Sequence, residues 1–257
     1  MNATLGASTG AMKRTRVLGW RQRVEAATVW LPKKRGQGVL VTGGLVLTAA
    51  HCIEWHTGGG MTLEDTYEVV ETKAGARLLM RILFVDPVAD LAVMGPPDDQ
   101  GPPEVVEGYE RFSGATAPVA VGDLAPPRAA RRMRTRAIPV RQPDGSRRTV
   151  HIQMPRPVRP RTARVHVFTH HGGWIEGQAL LSLEGAQGSR TWLRAHRKIE
   201  GGTSGGPIVD DRGRLLGVVS HSSEDDHGTG YNGAFPSPPR ALPPWIWRDI
   251  EASAGER

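Results

Sequence analysis

Short apolar runs separated by glycine and proline make up most of this chain, and apolar residues at the spacing of a helix are scarce. The 257 residues include 32 glycines and 20 prolines, which favour turns and end regular elements. Short apolar runs between turns are typical of β-strands. The pattern therefore predicts an all-β protein of the barrel type, long enough to bury the core of one two-lobed unit.

The apolar runs in the first hundred residues predict individual strands. A first strand is expected over residues 25–32, followed by a hairpin over 38–47 that turns at two glycines. Two more strands are expected near 67–73 and 77–85. The proline-rich run over 95–103 is then predicted to be a linker.

Beyond residue 164 the alternating pattern of a strand returns. Strands are predicted from residue 164 onward, at 192–193 and at 215–219. The last apolar stretch, 245–252, follows two prolines and carries isoleucine at 246 and 250, which is a helical spacing. The chain is therefore expected to end in a short helix.

One serine is enclosed by glycines at residues 201–206, directly before the apolar residues 207–209. Glycines let the main chain approach a ligand closely, as a pair of N–H groups that binds an oxyanion must do. The same run also fits a tight turn between two strands with no chemical role. A serine hydroxyl becomes a nucleophile only when a base removes its proton, so a base must be found elsewhere in the chain.

A histidine and a carboxylate that suit this role occur upstream of the serine. His51 follows the predicted hairpin after a few small residues. Asp90 interrupts the otherwise apolar stretch 82–94, so we expect it to be substantially buried, where a carboxylate requires a partner. His51 is the expected partner.

Three short segments carry a resemblance to a known family: Thr-Ala-Ala-His-Cys at 48–52, Asp-Leu-Ala-Val at 90–93 and Gly-Thr-Ser-Gly-Gly-Pro at 202–207. In this order and at this spacing the chain resembles the chymotrypsin/trypsin-like serine proteases, most closely the bacterial trypsin-like and HtrA-type branch. The resemblance covers roughly residues 25–250, with a poor match between about 96 and 165. It implies two six-stranded antiparallel β-barrels with the site in the cleft between them, and a C-terminal helix packed on the second barrel.

The resemblance also implies a role for each of these residues. His51 would act as general base and then general acid, Asp90 would orient its imidazole, and Ser204 would attack the scissile carbonyl. The N–H groups of Gly202 and Ser204 would form the oxyanion hole. The implied activity is that of a trypsin-like serine endopeptidase, which hydrolyses peptide bonds through an acyl-enzyme. A core histidine, a capped aspartate and a turn serine are the structural alternatives.

Two positions depart from the family pattern. Thr203 stands where zymogen-activated members have an aspartate that pairs with a new N-terminal ammonium, so activation by N-terminal cleavage is not expected. The site would then be either constitutively competent or gated by a partner that reshapes the loops around the oxyanion hole. By family position, the specificity pocket has its base near Lys198 and one wall at Ser220, His221 and Ser222. These side chains favour an acidic or polar residue at the P1 position of the substrate.

The positive charge of the chain is concentrated in one segment. Residues 125–165 contain twelve arginines and one acid, Asp144, and carry a net charge of +11, compared with +7 for the whole chain. Residues 136–140 and 148–153 are predicted to form a hairpin. The segment either binds an anionic regulator, namely nucleic acid, an acidic protein segment or membrane head groups, or is a solvated loop. No aromatic residue between 113 and 167 can stack on bases, which argues against single-stranded nucleic acid.

The N-terminus and the cysteine content predict the compartment. Residues 1–24 contain no apolar segment of a secretory signal, and no run elsewhere is long enough to span a membrane. Cys52 is the only cysteine, so the disulfide that many secreted members of the family form from this position is not expected, and Gly36 lies near the partner's position. We therefore expect a cytoplasmic protein. Cys52 as the nucleophile is disfavoured, because neighbouring side chains usually point apart.

These observations divide the chain into five predicted parts. They are an N-terminal extension (1–24), a first lobe with His51 and Asp90 (25–95), a linker (96–124), the arginine-rich insert (125–165), and a second lobe with Ser204 and the C-terminal helix (166–257).

No cofactor and no metal are expected. Four histidines make a zinc site the alternative, but they have no carboxylate or cysteine at ligand spacing: His151, His166, His170 and His171. The expected partner is a protein or peptide substrate, and nothing in the sequence indicates the oligomeric state. The alternative function is a catalytically inactive scaffold with a protease fold, which binds nucleic acid or an acidic protein through the arginine-rich insert.

Overall fold

The computed structural model describes the chain in ten stretches. They are residues 19–54, 67–98, 102–123, 133–155, 161–169, 171, 173–182, 190–220, 222–224 and 231–255. Within them the protein is mostly β, as predicted, and its two large sheets form two lobes. No helix in these stretches is long and apolar enough to cross a membrane.

The first lobe is a barrel of six antiparallel strands. They are β1 (Thr28–Leu31), β2 (Gly36–Val41), β3 (Leu45–Thr48), β4 (Tyr67–Thr72), β5 (Arg77–Asp86) and β6 (Leu91–Gly95). The barrel is closed, in the order β1-β2-β3-β6-β5-β4. Strands β2, β3 and β6 are buried along their whole length, so both of their faces are covered by protein. These three strands lead into the residues of the candidate site.

A helix precedes the first strand, where the sequence predicted the strand itself. The helix α1 spans Trp20–Ala27, and β1 begins only at Thr28. Its buried residues are Val24 and Ala27, three positions apart, which is the spacing of one helical face. The predicted strand over 25–32 was therefore wrong in its first three residues, because the apolar residues at the end of the helix continue directly into those of the strand.

Helix α1 touches both lobes. The ring of Trp20 lies 5.1 Å from the ring of His166 and 5.3 Å from that of Trp174, both in the second lobe. Glu25 accepts a hydrogen bond from Lys73 Nζ at 2.8 Å in the first lobe and one from Trp174 Nε1 at 2.9 Å in the second. A single carboxylate thus connects the two lobes.

The predicted linker contains a second helix, α2 (Pro103–Ala115). Proline is compatible with the first turn of a helix because the N–H that it lacks has no partner there, so these prolines begin an element. Tyr109 is buried against the first lobe, and its hydroxyl donates a hydrogen bond to the Gly44 carbonyl. Burial raises the pKa of Tyr109 to about 12.

The chain after α2 connects the two lobes through backbone hydrogen bonds. Val119 N–H donates to the Leu40 carbonyl in β2 at 2.9 Å. Gly122 N–H donates to the Leu215 carbonyl in the second lobe at 2.8 Å. This crossover is therefore held by both lobes.

The arginine-rich insert contains the predicted hairpin, made of β7 (Met133–Arg141) and β8 (Arg147–Pro155). The two strands are antiparallel and form a sheet of their own. At the turn, Gly145 has a φ of +83° and donates its N–H to the Gln142 carbonyl at 2.9 Å. The described residues of the hairpin are mostly exposed.

The second lobe is one antiparallel sheet of seven strands. They are β9 (Arg161–Phe168), β10 (Trp174–Ser182), β11 (Arg190–Ala195), β12 (Pro207–Val209), β13 (Leu215–Val218), β14 (Ser222–Glu224) and β15 (Tyr231–Phe235). Their order is β13-β12-β9-β10-β11-β15-β14. The predicted double-barrel fold class is confirmed, although the predicted count of six strands in this lobe is wrong because the short β14 adds a seventh beside β15.

The chain ends with the short helices α3 (Pro238–Ala241) and α4 (Pro244–Gly255), so the predicted terminal helix is present. Its buried residues Ile246 and Ile250 lie in a core cluster made mainly of first-lobe residues. A Cβ built on Gly43, in the turn between β2 and β3, would lie 3.1 Å from the Asp249 carbonyl oxygen. The prediction that this helix packs on the second barrel was therefore wrong, because the chain returns to the first lobe through α3.

Candidate active site

His51 and Asp90 meet at the end of the first barrel, as the sequence predicted. His51 lies on a single 3₁₀ turn (Ala50–Cys52) after β3, and Asp90 directly precedes β6, the neighbour of β3. His51 Nδ1 is 2.9 Å from Asp90 Oδ2 and 3.0 Å from Oδ1. The backbone N–H of His51 also donates to Asp90 Oδ1 at 3.1 Å. One carboxylate thus fixes both the ring and the main chain of the histidine.

The backbone at Asp90 aims its side chain at the histidine. Asp90 has a φ of +55°, in the left-handed region, which aspartate adopts more readily than most residues. Its side chain is only 19% exposed, compared with 46% for His51. The carboxylate therefore lies behind the imidazole, and the imidazole remains open to solvent.

A third group, from the second lobe, holds the same carboxylate. Ser220 Oγ donates a hydrogen bond to Asp90 Oδ2 at 2.6 Å. The sequence indicated Ser220 only as a pocket wall and gave no sign of this contact, because 130 residues separate the two in the chain. The bond connects the carboxylate of the first lobe directly to the end of β13.

These contacts shift the pKa values of the pair in opposite directions. Hydrogen bonding to Asp90 raises the pKa of His51 from its ordinary 6.5 to about 10, and the neighbouring Cys52 acts in the same direction. Burial by itself would raise the pKa of Asp90, but the hydrogen bonds from His51 and Ser220 outweigh it and lower that pKa. The pair therefore favours an imidazolium beside a carboxylate.

The serine lies in a tight turn directly before β12. Thr203 N–H donates to the Glu200 carbonyl at 3.3 Å, and Gly202 has a φ of +86°. Because Gly201 is not among the glycines with positive φ, the signs of φ are those of a type II turn, whose third residue is commonly glycine. Among the described carbonyls none accepts a backbone hydrogen bond from the N–H of Gly202 or Ser204.

The serine turn is tied to the first barrel through its own backbone. The Ser204 carbonyl accepts a hydrogen bond from Gln37 N–H in β2 at 2.7 Å. Gly205 has a φ of +77°, and a Cβ built on it would lie 1.9 Å from the Gln37 carbonyl oxygen. Only glycine fits at this position. We call this contact between the lobes, which carries His51, Asp90 and the Ser204 turn, the seam.

Gly36 separates the residue after the histidine from the serine turn. A Cβ built on Gly36 would lie 2.5 Å from Cys52 Sγ and 3.4 Å from the Ser204 carbonyl oxygen. The side chain of Cys52 is buried, at 1% exposure, so a substrate cannot reach its thiol. His51 lies on the same 3₁₀ turn, but its side chain is 46% exposed whereas that of Cys52 is buried.

The position before the serine is fully buried. Thr203 is 0% exposed, and its hydroxyl oxygen has no hydrogen-bond partner among the described residues. A threonine carries no charge, so this residue cannot form an ion pair with an N-terminal ammonium.

A cleft of about 1070 Å³ opens beside His51 and Asp90. Its walls combine the turn before β6 with residues of the second lobe, including Trp192, Ser220, Phe235 and Arg240. Of the predicted pocket residues, Ser220 lines this cleft, and Lys198 is exposed on the loop after β11 and is not among the lining residues.

The two remaining pocket residues are less informative. Ser222 is the first residue of β14, paired with Gly233, and His221 lies outside the described residues. The sequence did not indicate Trp192 or Arg240, because single residues at strand and helix ends carry no recognisable pattern.

The histidines considered for a metal site lie in different places. His151 is on the hairpin, buried His166 in β9 is 2.9 Å from Asp211, and exposed His171 is 3.2 Å from Glu200. His170 lies outside the described residues. The part of the chain that the structure describes contains no group of three or more potential metal ligands.

Two β lobes with a histidine–carboxylate pair and a glycine-bounded serine turn at their seam have the architecture of chymotrypsin-like double-barrel proteins. The chain belongs to the family of trypsin-like peptidase domains, whose profile matches residues 36–218. This match covers His51, Asp90 and Ser204.

Three similar solved proteins are distant from this chain in sequence. The Rv3671c protease of M. tuberculosis, in its inactive form, is 18% identical over 82% of this chain and 85% of that chain, with a TM-score of 0.42. The HtrA-type protease AlgW with a decapeptide is 17% identical over 85% and 52%, at 0.44. The MamO protease domain of Magnetospirillum magneticum is 15% identical over 85% and 95%, at 0.43. A search of curated proteins gives no match.

Proposed function

We propose that the chain is a serine endopeptidase that hydrolyses peptide bonds through an acyl-enzyme. The observation that carries this proposal is the Asp90–His51 pair, held from both lobes, at the same seam as the glycine-rich turn that contains Ser204. The family to which the chain belongs supports it.

The first proposed step is activation of the serine. The reacting form of His51 is the neutral imidazole, whose share grows as the pH rises toward the raised pKa. Asp90 engages His51 Nδ1, so this form has its proton on that nitrogen and its lone pair on Nε2. Nε2 then accepts the proton of the Ser204 hydroxyl as the oxygen attacks the substrate carbonyl. The carboxylate stabilises the imidazolium that forms, in agreement with the raised pKa of His51.

The second proposed step is collapse of the tetrahedral intermediate. The N–H groups of Gly202 and Ser204 bind its oxyanion, and the type II turn supports this role because it leaves both without a described carbonyl partner. His51 gives its proton to the leaving amine, and the acyl group stays on Ser204. Water, activated by the same imidazole, then releases the acid and restores the serine.

The site is proposed to work without N-terminal processing. Thr203 offers no charge for a new N-terminus, and the turn around Gly202 already has its type II form. We expect that no new N-terminus is needed for activity, whether the site is constitutively competent or gated by a partner.

An acidic or polar P1 residue is the proposed preference. The loop before the serine carries the cations Arg197 and Lys198, which favour an acidic side chain, although neither lines the cleft beside His51. A cleavage profile dominated by lysine or arginine at P1 would contradict this part of the proposal.

Digestion of unfolded casein tests the activity and the P1 preference together. Purified wild type is expected to produce peptides with new termini that mass spectrometry identifies, and Ser204→Ala to produce none. The control is Ser253→Ala, whose hydroxyl donates a hydrogen bond to the Asp249 carbonyl in its own helix and whose activity should equal that of wild type. Equal digestion by wild type and Ser204→Ala would overturn the proposal.

The second candidate is an inactive scaffold that binds an anionic partner. The free hairpin of the arginine-rich insert favours it, since β7 and β8 pair with no other described strand. The two candidates differ in one respect: the scaffold keeps its function in Ser204→Ala and loses it when the arginines are replaced.

A further inference from the structure

The hairpin β7–β8 presents an open strand edge and a concentration of positive charge. We propose that the outer edge of β8 is a docking site for an extended acidic peptide segment of a partner protein, which adds as a third strand. This proposal concerns a surface separate from the seam, and it holds whether or not the chain is a peptidase.

The register of the hairpin shows which backbone groups are free. Gln142 N–H donates to the Ser146 carbonyl at 2.8 Å, so the next pair, Arg141 and Arg147, is a non-hydrogen-bonded one. Every second pair beyond it is of the same kind. The N–H and C=O groups that point outward from β8 therefore belong to Arg147, Thr149, His151 and Gln153.

The two edges of the hairpin differ in their capacity to accept a strand. Pro139 on β7 pairs with Thr149 at a non-hydrogen-bonded position, where a backbone N–H would point away from the hairpin. Proline has no N–H to offer there. The outer edge of β7 therefore lacks a donor at its centre, whereas β8 has no proline from 147 to 153. A peptide strand can form a regular ladder with β8 only.

The two faces of the hairpin predict the side chains of the partner. On one face Val150 pairs with Ile138, and Val150 is 37% exposed. On the other face β8 presents Arg147 and His151. A strand with alternating apolar and acidic residues would therefore place its apolar side chains beside Val150 and its carboxylates beside Arg147.

The arginines of the hairpin are available for an external anion. No ion pair between described side chains involves Arg136, Arg141, Arg147 or Arg148. The only acid of the insert, Asp144, accepts hydrogen bonds from Ser146 within the turn. These side chains can therefore pair with an anionic ligand.

An acidic peptide fits these observations better than nucleic acid or a membrane does. The free backbone groups of β8 are complementary to another strand, and the exposed Val140 and Val150 have no counterpart in a phosphate backbone. The hairpin has no tryptophan or tyrosine of the kind that anchors proteins at a membrane interface.

Fluorescence anisotropy with the full chain carrying Ser204→Ala measures this binding while leaving the probe intact. The probe is a fluorescein-labelled octapeptide of alternating glutamate and valine. Comparison probes are the same peptide with N-methylated valines, octaglutamate, a short DNA duplex and phosphatidylserine vesicles. We expect saturable binding of the alternating peptide. The N-methylated peptide and octaglutamate should bind more weakly by about tenfold or more.

Two proline variants form a matched pair for the edge. Thr149→Pro removes an outward N–H from β8 without breaking the ladder, and Ala137→Pro does the same on β7. Thr149→Pro should weaken peptide binding about tenfold or more, and Ala137→Pro should leave it within about twofold of the parent. Equal binding by the two variants, tighter binding of DNA or vesicles than of the peptide, or a dimer by light scattering that Thr149→Pro dissociates would each overturn the proposal.

Discussion

The seam and the hairpin turn each contain an aspartate that accepts a hydrogen bond from a serine hydroxyl. In the seam the pair is Asp90 and Ser220, 2.6 Å apart and from different lobes. In the hairpin it is Asp144 and Ser146, 2.7 Å apart and two residues apart in the chain. The local chemistry is the same, and the surroundings differ.

The two carboxylates differ in whether they also contact a third group. Asp90 is largely buried and carries the effect of Ser220 to His51, whose pKa it raises. Asp144 is exposed and ends its interactions within the turn, which lowers only its own pKa. A hydrogen bond acquires a functional consequence when tertiary contacts connect it to a third group. The following predictions test that contrast from the largest effect to the smallest.

Removal of the charge on the buried carboxylate should have the largest effect. Asp90→Asn is expected to lower kcat/KM for peptide hydrolysis by about 10⁴-fold, because the amide cannot stabilise the imidazolium or enforce the tautomer. Asp144→Asn is the control and should leave kcat/KM unchanged. Similar losses in the two variants would remove the contrast between the seam and the hairpin.

Substitution by alanine at two glycines with positive φ should lower the free energy of unfolding by unequal amounts. Gly205→Ala places a methyl group against the Gln37 carbonyl and should lower the free energy of unfolding by about 3 kcal/mol or more. Gly145→Ala meets no atom within 4 Å and carries only the backbone strain, about 1 kcal/mol. Urea denaturation measures both values, and equal values would show that the serine turn is not confined by the first barrel.

Removal of a serine hydroxyl should lower kcat/KM in the seam and not in the hairpin, by a smaller factor than the aspartate substitutions. Ser220→Ala is expected to lower kcat/KM about tenfold, since Asp90 loses one hydrogen bond and keeps those from His51. Ser146→Ala, the matched change in the hairpin, should have no effect on hydrolysis. An unchanged rate in Ser220→Ala would mean that the second lobe does not help to orient the pair.

The pH dependence of stability should show a small effect, because the His51 side chain is 46% exposed and solvent screens its interaction with Asp90. The pKa of His51 is higher in the folded protein than its ordinary 6.5, so the contribution of His51 to stability is fully present below pH 6.5. It is lost as the pH rises toward about 10. The urea midpoint of the wild type should fall between neutral and alkaline pH. In Asp90→Asn the part of this fall that comes from His51 should be absent. An identical decline in wild type and Asp90→Asn would contradict the assignment.

Sequence patterns predicted the parts of this structure that depend on residues close together in the sequence. The apolar runs predicted β2, β3 and β5, and an acid within an apolar stretch predicted the contact of Asp90 with His51. Long-range packing could not be predicted in the same way. Ser220 reaches Asp90 only because the lobes close on each other, and α4 packs on the first lobe because α3 turns the chain back.

The predicted linker shows how one local signal can hide another. Prolines at 102 and 103 indicated a break, although Val105, Tyr109 and Phe112 have the spacing of one helical face. In the structure proline begins α2, and the buried Tyr109 joins it to the first lobe.

Labelling with a fluorophosphonate probe tests the central claim most directly, because the reagent reacts with a serine only when a base and an oxyanion site are assembled around it. Intact mass spectrometry of wild type should show one adduct, located on Ser204 by peptide mapping. Ser204→Ala and His51→Ala should show none, and Ser253→Ala should label like wild type. An unlabelled wild-type protein, or an adduct that survives His51→Ala, would contradict the account of the seam as a working triad.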